Sequence, residues 1–129
     1  MSGHGTENLR RVAIMALNAA FDKEARRLFE DFSELEREAW PFEYPEYLRW
    51  LQNPFAPTEY MDMIAQARGI SSAEYKEFTR KRVNAFKPIS ALLIGALQNA
   101  REKIREAATT EEIEKAKANG LLELETMFV

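Results

Sequence analysis

The sequence contains no cysteine and a single histidine, His4, among its 129 residues. Without cysteine, a disulfide framework, a thiolate zinc site and a cysteine nucleophile are all excluded. One histidine likewise excludes a multi-histidine metal site and leaves only His4 for histidine-centred acid–base chemistry. The lack of thiols suits a reducing compartment.

The common sequence signatures of catalysis are also missing. The chain has no phosphate-binding loop, no dinucleotide fingerprint and no Gly-x-Ser-x-Gly elbow. Its many glutamates include Glu34, Glu38 and Glu112, but no Glu-x-x-His pair accompanies them, and they fall mainly between apolar positions. We therefore expect a protein that is not an enzyme, with no catalytic residue, no bound metal and no cofactor.

Glycine and proline are scarce and unevenly placed. There are five of each, and four of the prolines lie within residues 41–57. The longest apolar run, at residues 89–97, is interrupted by Ser90 and Gly95 and is too short to span a bilayer. With 46% hydrophobic and 30% charged residues, the composition is that of a globular chain long enough for one domain. The net charge of −3 gives no reason to expect a polyanionic partner.

Apolar residues recur at steps of three and four through most of the chain, which indicates amphipathic helices. In the first third this stripe consists of Ile14, Leu17, Phe21, Ala25, Leu28, Phe32 and Leu35. Thr6 is a candidate N-cap for a helix that starts near residue 7 and ends before Pro41, with a break near Ser33.

Capping signals predict the later helices. Thr58 and Gly69 enclose a helix over residues 59–68, whose predicted buried side consists of Tyr60, Met63, Ile64 and Ala67. Ser71 opens the next helix with a capping box. Pro88 should kink or restart that helix. A second capping box at Thr109 opens a short helix to about residue 118, which residues 119–120 (Asn-Gly) should close.

No segment shows the alternation of a strand, so the predicted fold class is all-α. We expect a small bundle of about four to five helices, built from αα-hairpins, with an aromatic, proline-rich connector over residues 41–57 that contains one short helix at about 45–52. The predicted organisation is a flexible arm at residues 1–6, a helical domain at 7–118 and an apolar tail at 119–129.

Two apolar segments are candidate protein interfaces, because aromatic and large aliphatic side chains dominate binding energy at such surfaces. They comprise Trp40, Phe42, Tyr44, Tyr47, Trp50 and Phe55 in the connector, and Leu121, Leu122, Leu124, Met127 and Phe128 in the tail. The alternative is that the connector caps the end of the bundle and that the tail packs on its own helices.

Residues 58–87 also match a helix-turn-helix whose second helix is basic. Its candidate nucleic-acid-binding residues are Lys76, Arg80, Lys81, Arg82 and Lys87. We favour the alternative of an αα-hairpin with a solvated basic face, because the net charge is acidic and no basic tail supports binding.

Several short motifs carry a resemblance to a known family. They are FSELEREAW at residues 32–40, APT at 56–58, MIAQARGI at 63–70, LIGALQ at 93–98 and AATTEEI at 107–113. This order resembles a helical domain encoded in many tailed-phage genomes and prophages, often near tail-fibre genes. Such proteins are commonly described as tail proteins or tail-fibre assembly proteins. The resemblance covers residues 9–118 and fails at 41–51, where the family pattern is richer in Gln, Glu and Ala.

The resemblance implies a function in protein–protein interaction without catalysis. The protein would be a structural component of the phage tail or a chaperone of tail-fibre assembly, with a tail-fibre or baseplate subunit as partner and homo-oligomer formation open. Its location would be the host bacterial cytoplasm during assembly, or the virion. A small DNA-binding regulator that uses residues 71–87 is the alternative function.

Overall fold

A computed structural model describes residues 3–127, which form five α-helices and, within that range, no strand. The helices are α1 (Gly3–Leu28), α2 (Glu34–Gln52), α3 (Glu59–Arg68), α4 (Ser72–Glu106) and α5 (Thr110–Thr126). The prediction of a small all-α helical bundle is confirmed. None of the described helices is both long and apolar enough to cross a membrane.

The chain divides into two compact units. Unit 1 comprises Met1–Phe29 and Ile89–Val129, and unit 2 comprises Glu30–Pro88. Helix α4 runs through Pro88 and contributes to both units, although we expected a kink or restart at that proline.

Unit 1 has a core of closely spaced apolar side chains from α1, α4 and α5. Leu17, Ile104 and Ile113 are fully buried in it. The predicted stripe of α1 is confirmed at Leu17 and Phe21, which lie in the same cluster as Leu93. The other buried members are Ala13, Ala96, Ala100, Ala107 and Leu124.

The first and last helices of the described chain both extend beyond the bounds predicted for them. Helix α1 already includes Gly3, so residues 3–6 are helical where a flexible arm was expected. Helix α5 continues through Gly120 to Thr126 instead of closing at residues 119–120. A Cβ atom at Gly120 would lie 3.0 Å from the Cβ of Ala100 and 3.0 Å from Cδ2 of Leu17. The glycine therefore permits a close helix contact and does not act as a helix stop.

The tail candidates mostly pack on unit 1 itself. Leu124 is buried in the core, and Leu121 and Met127 lie against it. Leu122 is exposed. Phe128 lies outside the described residues. Self-packing, one of the two alternatives for the tail, is therefore what the structure shows for Leu121, Leu124 and Met127.

In unit 2, the break near Ser33 is real and has a local cause. The Oγ of Ser33 accepts a hydrogen bond from the amide of Glu36 at 3.1 Å. The Glu36 carboxylate in turn accepts one from the Ser33 amide at 3.0 Å, which completes a capping box. A new helix therefore starts at Glu34.

The aromatic connector predicted at residues 41–57 is largely helix. Helix α2 contains Pro41 and Pro45, although a proline in a helix interior costs about 3 kcal/mol. Both prolines are exposed, whereas the neighbouring side chains of Glu43, Glu46 and Tyr47 are buried. Packing of the face that carries Glu43, Glu46 and Tyr47 offsets the cost of proline inside the helix. Because of that cost, we expected the helix to end at Pro41.

The predicted bounds of α3 are confirmed, and Gly69 ends the helix in the left-handed conformation with φ of 81°. Its buried face was assigned incorrectly. Met61 and Ala65 are buried with Tyr47 and Tyr75, whereas Met63, which we placed inside, is exposed. The helix is thus rotated relative to the predicted face.

Gly120→Leu should lower the free energy of unfolding by about 1–3 kcal/mol, because the new side chain has to displace the packed atoms of Ala100 and Leu17. The matched control is Gly95→Leu in α4, where a Cβ atom meets nothing within 4 Å. That variant should gain about 0.5–1 kcal/mol from helix propensity. Urea denaturation measures both, and equal effects at the two sites would contradict the close contact at Gly120.

Candidate binding groove

Two buried glutamates lie on one face of α2, where the surrounding residues are aromatic. Glu43 is 2% exposed and Glu46 is 9% exposed, and their spacing of three places them one helical turn apart. A buried carboxylate is costly unless it is paired or hydrogen-bonded. Each of the two has such partners, and the partners lie on different helices.

Glu46 caps the N-terminus of α3. Its Oε2 accepts a hydrogen bond from the amide of Tyr60 at 2.9 Å, and its Oε1 accepts one from the amide of Met61 at 3.0 Å. These amides have no partner within the helix and usually bond to the N-cap side chain. A carboxylate at this end is also favoured by the helix dipole.

Thr58 occupies the N-cap position, as predicted, but its side chain does not cap the helix. Its hydroxyl donates instead to Oδ1 of Asp62 at 3.0 Å. The predicted helix start was therefore right, while the predicted capping group was wrong. The acceptor comes from Glu46, on a different helix, which a local sequence pattern does not reveal.

Glu43 joins α2 to α4. Its carboxylate accepts a hydrogen bond from the phenol of Tyr75 and lies 3.7 Å from the guanidinium of Arg82. The Arg82 side chain is only 9% exposed, and its guanidinium lies 5.0 Å from the centre of the Trp40 ring. The expectation of a solvated basic face is wrong for Arg82, because Glu43 and the aromatic rings draw it into unit 2.

Burial and, to a smaller extent, the hydrogen bond to Glu43 together raise the pKa of Tyr75 from 10.0 to about 12. The phenol is therefore protonated at neutral pH and acts as a donor to the carboxylate. Arg82 lowers the pKa by a smaller amount.

These groups line one side of a groove of about 510 Å³ within unit 2. Its lining residues are Leu35, Glu36, Ala39, Trp40, Glu43, Tyr60, Ile64, Arg68, Tyr75, Phe78 and Arg82. They come from α2, α3 and α4. The volume, the apolar and aromatic walls and the few convergent polar groups are typical of a binding site.

The charges of the groove are not all compensated. Glu43 faces Arg82, and Glu36 is engaged in the Ser33 capping box. Arg68 lies with its guanidinium 4.7 Å from the centre of the Phe78 ring. Within residues 3–127, no carboxylate lies within ion-pair distance of Arg68. Because Glu36 bonds only to neutral groups of Ser33, the groove keeps one exposed carboxylate and one exposed guanidinium besides the pair of Glu43 and Arg82.

The predicted aromatic candidates have different environments. Tyr47 is a core residue, and Trp40 and Trp50 are half-buried, with Trp40 in the groove wall. Phe42 is 68% exposed and Phe55 is 93% exposed. Tyr44 is also exposed and stacks against Tyr47. The structure thus separates core aromatics from those available to a partner.

The five basic candidates do not form one exposed surface. Arg82 is buried, and Arg80 is hydrogen-bonded to Glu77. The Nζ of Lys76 lies 5.7 Å from the centre of the Trp50 ring, while Lys81 and Lys87 are exposed. These placements do not favour the helix-turn-helix alternative, which needs the basic groups of α4 to meet phosphate together.

Sequence reasoning missed Glu43, Glu46 and Arg68. The sequence feature that could have indicated the two glutamates is their spacing of three within a segment otherwise rich in aromatic residues. No sequence feature distinguishes Arg68. In the part of the chain that the structure describes, no three metal-ligating side chains of His, Cys, Asp or Glu come together. No protein-family model, curated protein or solved structure matches this chain.

Glu46→Ala should lower the free energy of unfolding by about 2–4 kcal/mol, because it leaves the buried amide of Met61 and the partly buried amide of Tyr60 without an acceptor. Thr58→Val is the matched control. It removes only the bond to Asp62 and should cost about 1 kcal/mol or less. If denaturation showed the larger loss for Thr58→Val, the capping function assigned to Glu46 would be wrong.

Phenol ionisation is measured by ultraviolet absorbance after rapid mixing to high pH. The unmodified protein should show an ionisation near pH 12, and Tyr75→Phe should abolish it. Because the folded-state pKa is raised above 10.0, the corresponding stability is present below pH 10 and is lost as pH rises toward 12. The control Tyr44→Phe should leave that ionisation in place. Its persistence in Tyr75→Phe would show that another phenol is responsible.

Proposed function

We propose that this protein is a non-enzymatic binding protein of a tailed bacteriophage, either a tail-associated structural component or a tail-fibre assembly chaperone. Its partner is a tail-fibre or baseplate subunit, which it binds through unit 2. It acts in the host bacterial cytoplasm during assembly and, if it is structural, remains in the virion.

The observation that carries this proposal is the exposed apolar surface of unit 2. Leu35 on α2 is 77% exposed, and Phe42 and Phe55 are exposed to a similar or greater extent. Met63 on α3 is exposed as well. Among the described residues, more large apolar side chains are exposed in unit 2 than in unit 1, and we propose that those of unit 2 contribute to the surface that a partner covers.

The chemistry of the groove supports recognition over catalysis. Its phenol, Tyr75, has a raised pKa and is a poor proton acceptor at neutral pH. Its buried carboxylate, Glu43, is held by Tyr75 and Arg82. Neither group is poised as a general base, since each is already engaged in a structural contact.

The phage assignment rests on the resemblance of the short motifs. Residues 32–40 enclose the capping box that starts α2, and residues 63–70 end α3 at Gly69. The resemblance fails at residues 41–51, which carry Phe42 and both buried glutamates. We therefore propose that the partner surface is particular to this chain, while the helical framework is shared.

Mass spectrometry tests the assignment. Mature particles and assembly intermediates of the encoding phage or prophage are purified and analysed for this chain. Its presence in tails supports a structural component, and its presence only in intermediates with a tail-fibre or baseplate subunit supports a chaperone. Absence from both preparations would refute the proposal.

The double variant Phe42→Ser, Phe55→Ser should weaken binding of the tail subunit by about tenfold or more, equivalent to 1.4 kcal/mol or more. Because both rings are exposed, the free energy of unfolding should change by only about 0.5 kcal/mol. Calorimetry of the purified pair measures the affinity.

The matched control is Val12→Ser, Met15→Ser, which changes two exposed apolar residues of unit 1. It should bind like the unmodified protein. Equal loss of affinity in the two double variants would show that the binding surface is not confined to unit 2.

A further inference from the structure

The turn that follows α2, at residues 53–56, is held by two hydrogen bonds to Asn53. The backbone carbonyl of Asn53 accepts a bond from the amide of Ala56 at 2.9 Å, and its side-chain Oδ1 accepts one from the amide of Phe55 at 3.1 Å. Asparagine suits the first position of such a turn, because its side chain bonds to the backbone two residues on. Proline suits the second position, because its ring fixes φ, and Pro54 occupies it.

The chain on both sides of this turn is anchored. The amide of Asn53 donates to the carbonyl of Arg49 in the last turn of α2 at 2.9 Å. After the turn, Thr58 is only 3% exposed, and its hydroxyl donates to Asp62. Pro57 restricts the residue before it to extended backbone. Residues 53–57 therefore have little conformational freedom to lose when a partner binds.

The side chain that this turn presents is Phe55. It is 93% exposed, more than any other large apolar side chain that the structure describes. The other exposed aromatics of α2 have aromatic neighbours, since the ring of Phe42 lies 5.9 Å from that of Tyr60 and Tyr44 stacks on Tyr47. A flat surface would cover one face of a ring that stands this far out. A pocket can enclose both faces, and aromatic anchors at protein interfaces typically fill pockets.

We infer that Phe55 is the anchor through which unit 2 holds its partner, and that its ring inserts into an apolar pocket of that partner protein. Asn53 and Pro54 are positioning residues that fix the turn before binding. This assignment rests on the proposed function, because it identifies how unit 2 binds another protein. A protein pocket is favoured over an anionic lipid surface, because the acidic residues Glu59 and Asp62 follow in the first turn of α3.

Photocrosslinking in cells that produce the phage or prophage particles tests the contact. The full chain carries p-benzoylphenylalanine in place of Phe55 or, as the matched control, in place of Met15, an exposed apolar residue of unit 1. Position 55 should give a single product with a tail-fibre or baseplate subunit, in clear excess over position 15. Peptide mapping of that product should place the crosslink on apolar residues of the captured protein.

The captured protein is then purified, and calorimetry measures its affinity for variants of the full chain. Phe55→Ala should weaken binding by about ten- to hundredfold, the equivalent of burying one phenylalanine side chain. Met15→Ala should bind like the unmodified protein. Because both side chains are exposed, urea denaturation should show nearly unchanged stability for the two variants.

The positioning function of Asn53 has a separate readout. Asn53→Ala removes the acceptor for the Phe55 amide while keeping the ring, and it should weaken binding by about two- to fivefold through the lost restraint on the turn. Asn53→Asp keeps an oxygen at the same place and should restore most of the affinity. Equal affinities of Asn53→Ala and the unmodified protein would show that the turn is not positioned by this bond.

Three results would overturn the assignment of Phe55 as anchor. They are equal crosslinking at positions 55 and 15, a product that contains only a second copy of this chain, and an affinity that Phe55→Ala changes by less than about twofold. Such results leave the proposed function standing if the chain is found with tail proteins. Capture of a protein unrelated to phage tails, with the full loss of affinity in Phe55→Ala, supports the anchor and refutes only the phage assignment.

Discussion

Two buried carboxylates on a single turn of α2 hold unit 2 together. Glu46 closes the N-terminus of α3, and Glu43 takes a phenol and a guanidinium from α4. Both α3 and α4 are thus bonded to the same face of α2, and the groove walls are positioned by these contacts. Removing one partner of such a buried network costs far more than a surface bond, because the remaining groups cannot recover water.

Local signals in the sequence predicted the fold class and most helix starts. The capping groups of Ser33, Ser71 and Thr109 act within three or four residues, so their effect is visible in a short window. The bounds of α3 follow from Thr58 and Gly69 for the same reason. Helical periodicity likewise identified Leu17 and Phe21 as core residues, because spacing alone places them on one face.

Features that depend on distant partners were not predictable in this way. Pro41 and Gly120 both have low helix propensity, yet each lies inside a helix, because packing of the neighbouring face outweighs the local cost. The burial of Glu43, Glu46 and Arg82 depends on helices that meet only in the folded unit. From the sequence alone, a charged residue is expected to be exposed to solvent, because most charged side chains are.

The two arginines of the groove, Arg68 and Arg82, differ in burial and in ion pairing although they are the same residue type. Arg82 has a carboxylate within reach and aromatic rings around it, so its charge contributes to the structure of unit 2. Arg68 has a similar aromatic neighbour, Phe78, but pairs with no carboxylate among the described residues, so its charge does not contribute to an ion pair inside unit 2. Because Glu43 is paired with Arg82, the charges that remain exposed at the groove are those of Arg68 and Glu36, which are opposite in sign. The network that stabilises unit 2 therefore also determines which charges of the groove remain exposed to solvent.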